Sequence, residues 1–172
     1  VDFKPHITKA ITLMVVALLF LSFKASYWEF DKKYIVKIQK SIDELFGRNS
    51  YNFEEFKNFQ EAFYTIKEAD VVLGYFVVAK APSKFHQFDY YIVFDAKTEI
   101  LKIEVLNYRE NYGAEICNKN WLKQFVRLPT ENYAKYNRMV DGISGATLSA
   151  NNLKQDVFRL SKLLKSHISA KR

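Results

Sequence analysis

The chain has 172 residues, of which 49% are hydrophobic and 26% charged, and a net charge of +7. This is room for one domain with a real core plus a small appendage, and it excludes disorder as the default state. The single cysteine, Cys117, rules out an intramolecular disulfide, and His6, His86 and His167 are too scattered to suggest a metal site.

The first feature along the chain is apolar. Ala10 to Phe23 holds 14 residues, nearly all hydrophobic. That is short of the roughly 20 residues a bilayer span needs and matches the apolar region of a secretory signal, with Lys4 and Lys9 ahead of it. The small residues Ala25 and Ser26 lack a small partner three places before a cleavage point, where Phe23 and Lys24 stand. Extended from Ile7 to Trp28, the segment instead reads as an uncleaved membrane anchor. Lys9 and Lys24 would snorkel, and Tyr27 and Trp28 would form an interfacial belt. The expected organisation is therefore an anchor over residues 1–28, a linking helix over 29–52 and a folded domain over 53–172.

In the linking segment Ile35, Ile38, Ile42 and Leu45 recur at helical spacing, and Gly47 supplies a stop. Phe53 to Ala69 is mixed and aromatic, with no clear period, and is open between helix and loop. Val71 to Ala81, Phe88 to Asp95 and Ile100 to Tyr108 are β-branched, aromatic or alternating, and read as three strands of an antiparallel meander. Pro82-Ser83 breaks the chain after the first strand, and Asp95-Ala96-Lys97-Thr98 is a turn before the third. Asn118 to Phe125 reads as a short helix capped by Asn118, with Trp121, Leu122 and Phe125 on one face. The final helix is expected from about Ser149 to Ile168, with Leu153, Val157, Leu160 and Leu164 on its apolar stripe. From Asn151 to Arg172 six basic residues face the single acid Asp156. Such a tail is either a solvated helix face or a surface for an anionic membrane or partner, and no nucleic-acid module accompanies it. The fold class expected is α+β: a small antiparallel sheet with packed helices, preceded by one transmembrane helix.

Chemistry concentrates at Asp141-Gly142-Ile143-Ser144-Gly145-Ala146-Thr147-Leu148-Ser149. Gly142 and Gly145 permit tight turning and close approach to a ligand, and small Ser144 and Ala146 leave space beside them. Ser149 is a suitable N-cap, which puts Thr147 just ahead of a helix N-terminus, where unpaired N–H groups and the dipole favour a phosphate. Capped glycine-rich turns also open many helices that bind nothing, so spacing alone leaves the anion open.

The segment resembles the flavinylation motif of the FMN-binding domain family, whose best-known members are flavin-carrying components of the sodium-translocating NADH:quinone reductase and of the related ferredoxin:NAD oxidoreductase. Asp141, Ser144, Gly145, Ala146, Thr147 and Ser149 match that pattern position by position. A second stretch, Arg109-Glu110-Asn111-Tyr112-Gly113-Ala114-Glu115 followed by Trp121-Leu122 and Gln124-Phe125, resembles the family's Glu-containing glycine loop and the helix after it. Glu110 and Gly113 keep their places. Asn111-Tyr112 stands for Thr-Pro and Ala114-Glu115 for Leu-Gly, which fits a single-anchor relative better than either named complex.

The resemblance implies FMN joined through its phosphate to the Thr147 hydroxyl by a flavin transferase working with a divalent metal. It implies a cofactor-binding set of Asp141, Gly142, Ser144, Gly145, Ala146, Thr147, Leu148 and Ser149, with Glu110, Tyr112, Gly113, Ala114 and Trp121 along the flavin ring and Tyr112 or Trp121 able to stack; for Trp121 and Phe125 simple core packing stays open as the alternative. It further implies electron transfer with membrane partner subunits, the soluble domain standing on the outer side of a bacterial cytoplasmic membrane. Two other functions stay open: a flavin-dependent reductase of a small acceptor, with Arg109, Glu110 and Glu115 as proton-donor candidates, and a non-redox module that docks on lipid or a partner.

Overall fold

A computed structural model describes residues 32–47, 50–56, 59 and 61–170. The expected anchor over residues 1–28 lies outside them. Among the described residues no helix is long and apolar enough to cross a membrane.

The domain is α+β. Helix α1 (Lys32–Phe46) precedes five strands: β1 (Asn52–Glu55), β2 (Ala62–Glu68), β3 (Val71–Pro82), β4 (Gln87–Asp95) and β5 (Ile100–Asn107). They form one antiparallel sheet in the order β1-β2-β3-β4-β5. A 3₁₀ turn (Ala114–Cys117), α2 (Lys119–Leu122), a second 3₁₀ turn (Lys123–Phe125), α3 (Tyr133–Met139) and the long α4 (Thr147–Ala170) follow.

The long apolar runs of β3 and β4 have a direct cause: both faces of the sheet are covered. Tyr75, Val77, Ala79 and Ala81 pair with Phe94, Ile92, Tyr90 and Phe88, all in the main core. On this face lies α4, whose Leu153, Val157, Leu160 and Leu164 are fully buried. Each contributes about 1.5–3 kcal/mol by leaving water. The Tyr90 hydroxyl donates to Asp156 of α4 from the same face. The opposite face, with Phe76, Val78, Tyr91 and Val93, receives the part of α1 from Ile38 onward. Ser41 and Tyr91 hydroxyls pair there at 2.6 Å, and Lys102 bridges to Glu44 at 3.0 Å. Ile38 and Ile42 are buried as their spacing implies, whereas Leu45 is 36% exposed.

Two strands and one helix differ from the sequence expectation. The stretch that sequence leaves open between helix and loop holds β1 and β2. β1 is a four-residue edge strand with little burial, and β2 is buried at four consecutive positions, so neither shows alternation. Helix α3 is an addition to the expected elements. Its local signal is Asn132, whose side chain accepts from the Lys135 N–H at 3.1 Å.

Candidate functional site

The glycine-rich motif becomes a defined corner because the chain on both sides of it is pinned. The Asp141 N–H donates to Gln124 Oε1 at 2.8 Å, while Gln124 Nε2 donates to the Asp141 carboxylate at 3.1 Å. The Trp121 indole N–H donates to the Asp141 carbonyl at 3.0 Å. Asn118 caps α2 as expected, accepting from the Asn120 and Trp121 N–H groups, and so sets the direction of Trp121. Trp121 is only 8% exposed and meets Phe125 edge-on at 5.1 Å. Its ring therefore packs in the core and holds the motif from beneath. Trp121→Phe, which keeps an aromatic ring but deletes that hydrogen bond and part of the buried indole, should lower stability by about 1–3 kcal/mol, read by urea unfolding.

Lys154 pins the same segment from α4. Its ammonium donates to the Val140 carbonyl at 2.6 Å and more weakly to that of Asn137 at 3.4 Å, satisfying carbonyls at the C-terminal end of α3. Loss of water around it pushes its pKa down, and the Asp141 charge opposes that shift.

The motif then turns through Gly145, whose φ of +82° is natural for glycine. The Ala146 carbonyl accepts from the Ala150 N–H at 2.9 Å, so Ala146 is the N-cap position and Thr147 the first helical residue. This corrects the expectation that Ser149 caps the helix. Ser149 sits inside the first turn, is buried, and pairs its hydroxyl with Tyr108 at 3.0 Å. The helix N-terminus is thus earlier than expected, and Thr147 lies on it rather than ahead of it. Thr147 is exposed, and its hydroxyl makes a long contact to the Ile143 carbonyl, 3.4 Å.

The glycine loop is brought against this corner. Gly113 adopts φ +73°, and a Cβ there would lie 2.9 Å from Ala146 Cβ and 3.0 Å from the Tyr108 hydroxyl. Glycine at 113 and the small side chain at 146 are what let the loop and the motif touch. The result is a cleft of about 230 Å³ lined by Lys84, Tyr112, Gly145, Ala146, Thr147, Leu148 and Ser149. All of these but Lys84 are expected from the sequence. Around Lys84 the sequence signals only a break in the chain at Pro82-Ser83.

The remaining expected residues lie elsewhere. Asp141, Gly142 and Ser144 are on the exposed approach to the cleft, and Ala114 begins the 3₁₀ turn facing solvent. Glu110 reaches to the β3–β4 turn rather than lining the cleft. One of its oxygens accepts from the Ser83 hydroxyl, from the Phe85 N–H at 2.8 Å and from the His86 N–H at 3.1 Å. These bonds, the Ser83 hydroxyl foremost, hold its carboxyl below the usual range. The brace is therefore intact above the unfolded carboxylate pKa and is lost as pH falls through the lower folded value. In an acid titration the Phe85 and His86 amide resonances should keep their positions through the ordinary carboxylate range and move only below it. Arg109 is tied to Asp89 and to the Gln87 carbonyl at 2.7 Å, and Glu115 is exposed. Tyr112, 43% exposed, stays neutral: loss of water raises its pKa, and Glu110 and Tyr108 add to the rise.

Residues 86–160 match the family model of the FMN-binding domain. Over this stretch, a little under half of the chain, the protein is similar to an FMN-binding domain. No curated protein matches the chain. The match takes in the glycine loop and the whole motif, and so both walls of the cleft apart from Lys84.

The cleft fits an FMN phosphate in kind. A hydroxyl, a helix N-terminus and a lysine stand together, and among the described residues no carboxylate lines the space. Its size also matters. Pockets that enclose a drug-sized ligand run about 300–1,000 Å³. At about 230 Å³ and open to solvent, this cleft can seat the phosphate end and part of a ring, leaving the rest of the flavin accessible. Among the described residues no group of three or more His, Cys, Asp or Glu side chains is placed to hold a metal ion.

Proposed function

We propose that this protein is a membrane-anchored electron-transfer flavoprotein that carries FMN through a phosphoester to Thr147. The observation that carries the reading is the position of Thr147: exposed, on the first residue of a 24-residue helix, in the cleft where the glycine loop meets the motif.

The chain's own residues account for binding and presentation. Unpaired N–H groups of the first turn of α4 and the Lys84 ammonium receive the phosphate. Tyr112 offers a neutral aromatic face to the ring. Among the described residues lining the cleft none is a general base for the Thr147 hydroxyl, which is a weak nucleophile, so its activation belongs to a flavin transferase. Asp141, Gly142, Ser144, Gly145, Thr147 and Leu148 are all exposed, an arrangement that leaves the acceptor open to such an enzyme and its divalent metal. Bound FMN supplies one- and two-electron transfer.

The apolar run at Ala10–Phe23 supports the anchor. A permanently attached cofactor suits a domain outside the cytoplasm, where free FMN would be diluted away. Electrons would pass between membrane partner subunits, with no substrate pocket required. The test is direct. When the chain is expressed with a flavin transferase and denatured on a gel, its band should fluoresce. A dark band would overturn the reading.

A further inference from the structure

Lys84 stands outside both sequence features that define the cleft and two residues before the start of the family match. Among the described residues it is the cation in the cleft lining. It sits at the tip of the β3–β4 turn, and that turn is held unusually well for an exposed hairpin. The Ser83 N–H donates to the His86 carbonyl at 2.8 Å, and the single O–H of Ser83 is shared between that carbonyl, also 2.8 Å away, and the Glu110 carboxylate. The Glu110 carboxylate gathers Ser83, Phe85 and His86 on a single oxygen. Asn152 of α4 donates to the Pro82 carbonyl at 2.9 Å and ties the base of the turn to the helix that begins at Thr147.

The Lys84 ammonium rests near rings. It lies 5.0 Å from the Phe85 ring centroid and 6.0 Å from that of Tyr112. Among the described residues no carboxylate forms an ion pair with it. A lysine on a braced turn, beside aromatic faces, is poised for an anion. The cleft it shares with the start of α4 is where the phosphate of FMN would enter.

We propose that Lys84 is the cation that takes the FMN phosphate beside Thr147, and that Glu110 is the positioning residue that holds it there. The inference rests on the FMN reading of the cleft and adds to it. Glu110 acts on the turn that presents Lys84, rather than on the flavin. Its acidic side chain is needed because an ionised carboxylate only accepts hydrogen bonds, so it can gather the donors of this turn, and doing so occupies a carboxylate that would otherwise be free to neutralise the lysine.

The test compares FMN with riboflavin, which lacks the phosphate, on the full chain made without transferase. Binding is followed by quenching of flavin fluorescence at low salt. The wild-type chain should prefer FMN. Lys84→Gln should weaken FMN by about five- to tenfold, the scale of one solvent-accessible charge-assisted contact, and leave riboflavin unchanged. Lys84→Arg should restore most of the preference. Glu110→Ala should reduce it although the lysine remains. Equal affinity of the wild type for both flavins, or a preference that survives Lys84→Gln, would overturn the inference while leaving the FMN reading standing. Failure of the wild type to bind either flavin would overturn it as well, and attachment at Thr147, read separately by gel fluorescence, would then be judged by itself.

Discussion

Thr147→Val should abolish covalent flavin completely while leaving the fold unchanged, and Thr147→Ser should retain it. The first half follows from chemistry: without the hydroxyl there is no oxygen to form the phosphoester. The second half follows from position. Thr147 is exposed, and the hydrogen bond of its hydroxyl to the Ile143 carbonyl, at 3.4 Å, is too long to contribute much. Substitution at such a surface site changes stability by no more than about 0.5 kcal/mol. The two variants should therefore melt together with the wild type and differ only in the flavin that survives denaturation. Loss of flavin together with loss of the thermal transition would point to misfolding and away from a missing acceptor.

Gly113→Ala should damage both the fold and flavin loading, through backbone and side chain at once. Gly113 has φ +73°, and a left-handed conformation of this kind costs a non-glycine residue about 1–2 kcal/mol. The added methyl would stand 2.9 Å from Ala146 Cβ, inside ordinary contact, and overpacking of this kind adds about 1–3 kcal/mol. A combined loss of about 3 kcal/mol corresponds to a fall in melting temperature of roughly 6–12 °C. Ala146 immediately precedes the acceptor, so relief of the overlap moves the corner that presents Thr147. If about 2 kcal/mol of that strain falls on the loading geometry, transferase turnover drops about thirtyfold. A Gly113→Ala variant that melts and loads like wild type would show that the loop and motif do not meet as described. Gly142 is the internal contrast. A Cβ there has nothing within 4 Å and no positive φ to overcome, so the same substitution should be far milder.

These contrasts show which parts of the site are visible in the sequence. The motif is legible because its pattern is local: two glycines, small residues and a hydroxyl within a few consecutive positions. Even so, the sequence places the helix start too late. Ser149 has the composition of an N-cap, but the turn at Gly145 has already set the chain helical, and Tyr108 claims the Ser149 hydroxyl across 41 positions of sequence. Glu110 is legible as part of a pattern, but its role is not. Its partners Ser83, Phe85 and His86 lie 24–27 residues away, on a turn whose sequence carries no chemistry of its own. Lys84 is hidden for the same reason. Trp121 is open in the sequence between stacking on a flavin and packing in the core, and its burial, with the indole N–H bound to the Asp141 carbonyl, favours packing.

The fold divides similarly. β3, β4 and β5 stand out because their composition is rich in β-branched, aromatic or alternating apolar residues along their length. β1 escapes because it is short and mostly exposed, and β2 because burial on both faces removes the alternation that marks a half-buried strand. The C-terminal helix is legible from its stripe, and its charge is partly spoken for. Arg159 is paired with Glu61 and Asp156, Lys165 with Glu131, and Lys154 is buried. The basic excess of this helix is in good part structural, which weakens the case for a lipid-docking face.

One bond, between the FMN phosphate and the Thr147 hydroxyl, decides the function proposed for this domain. Proteolysis of the chain produced with a flavin transferase, followed by mass spectrometry of the peptide containing Thr147, tests it most directly. The peptide should carry the mass of FMN less one water, with fragmentation placing the addition on Thr147. An unmodified peptide from chain that has met an active transferase, or an addition on Ser144 or Ser149 instead, would contradict it.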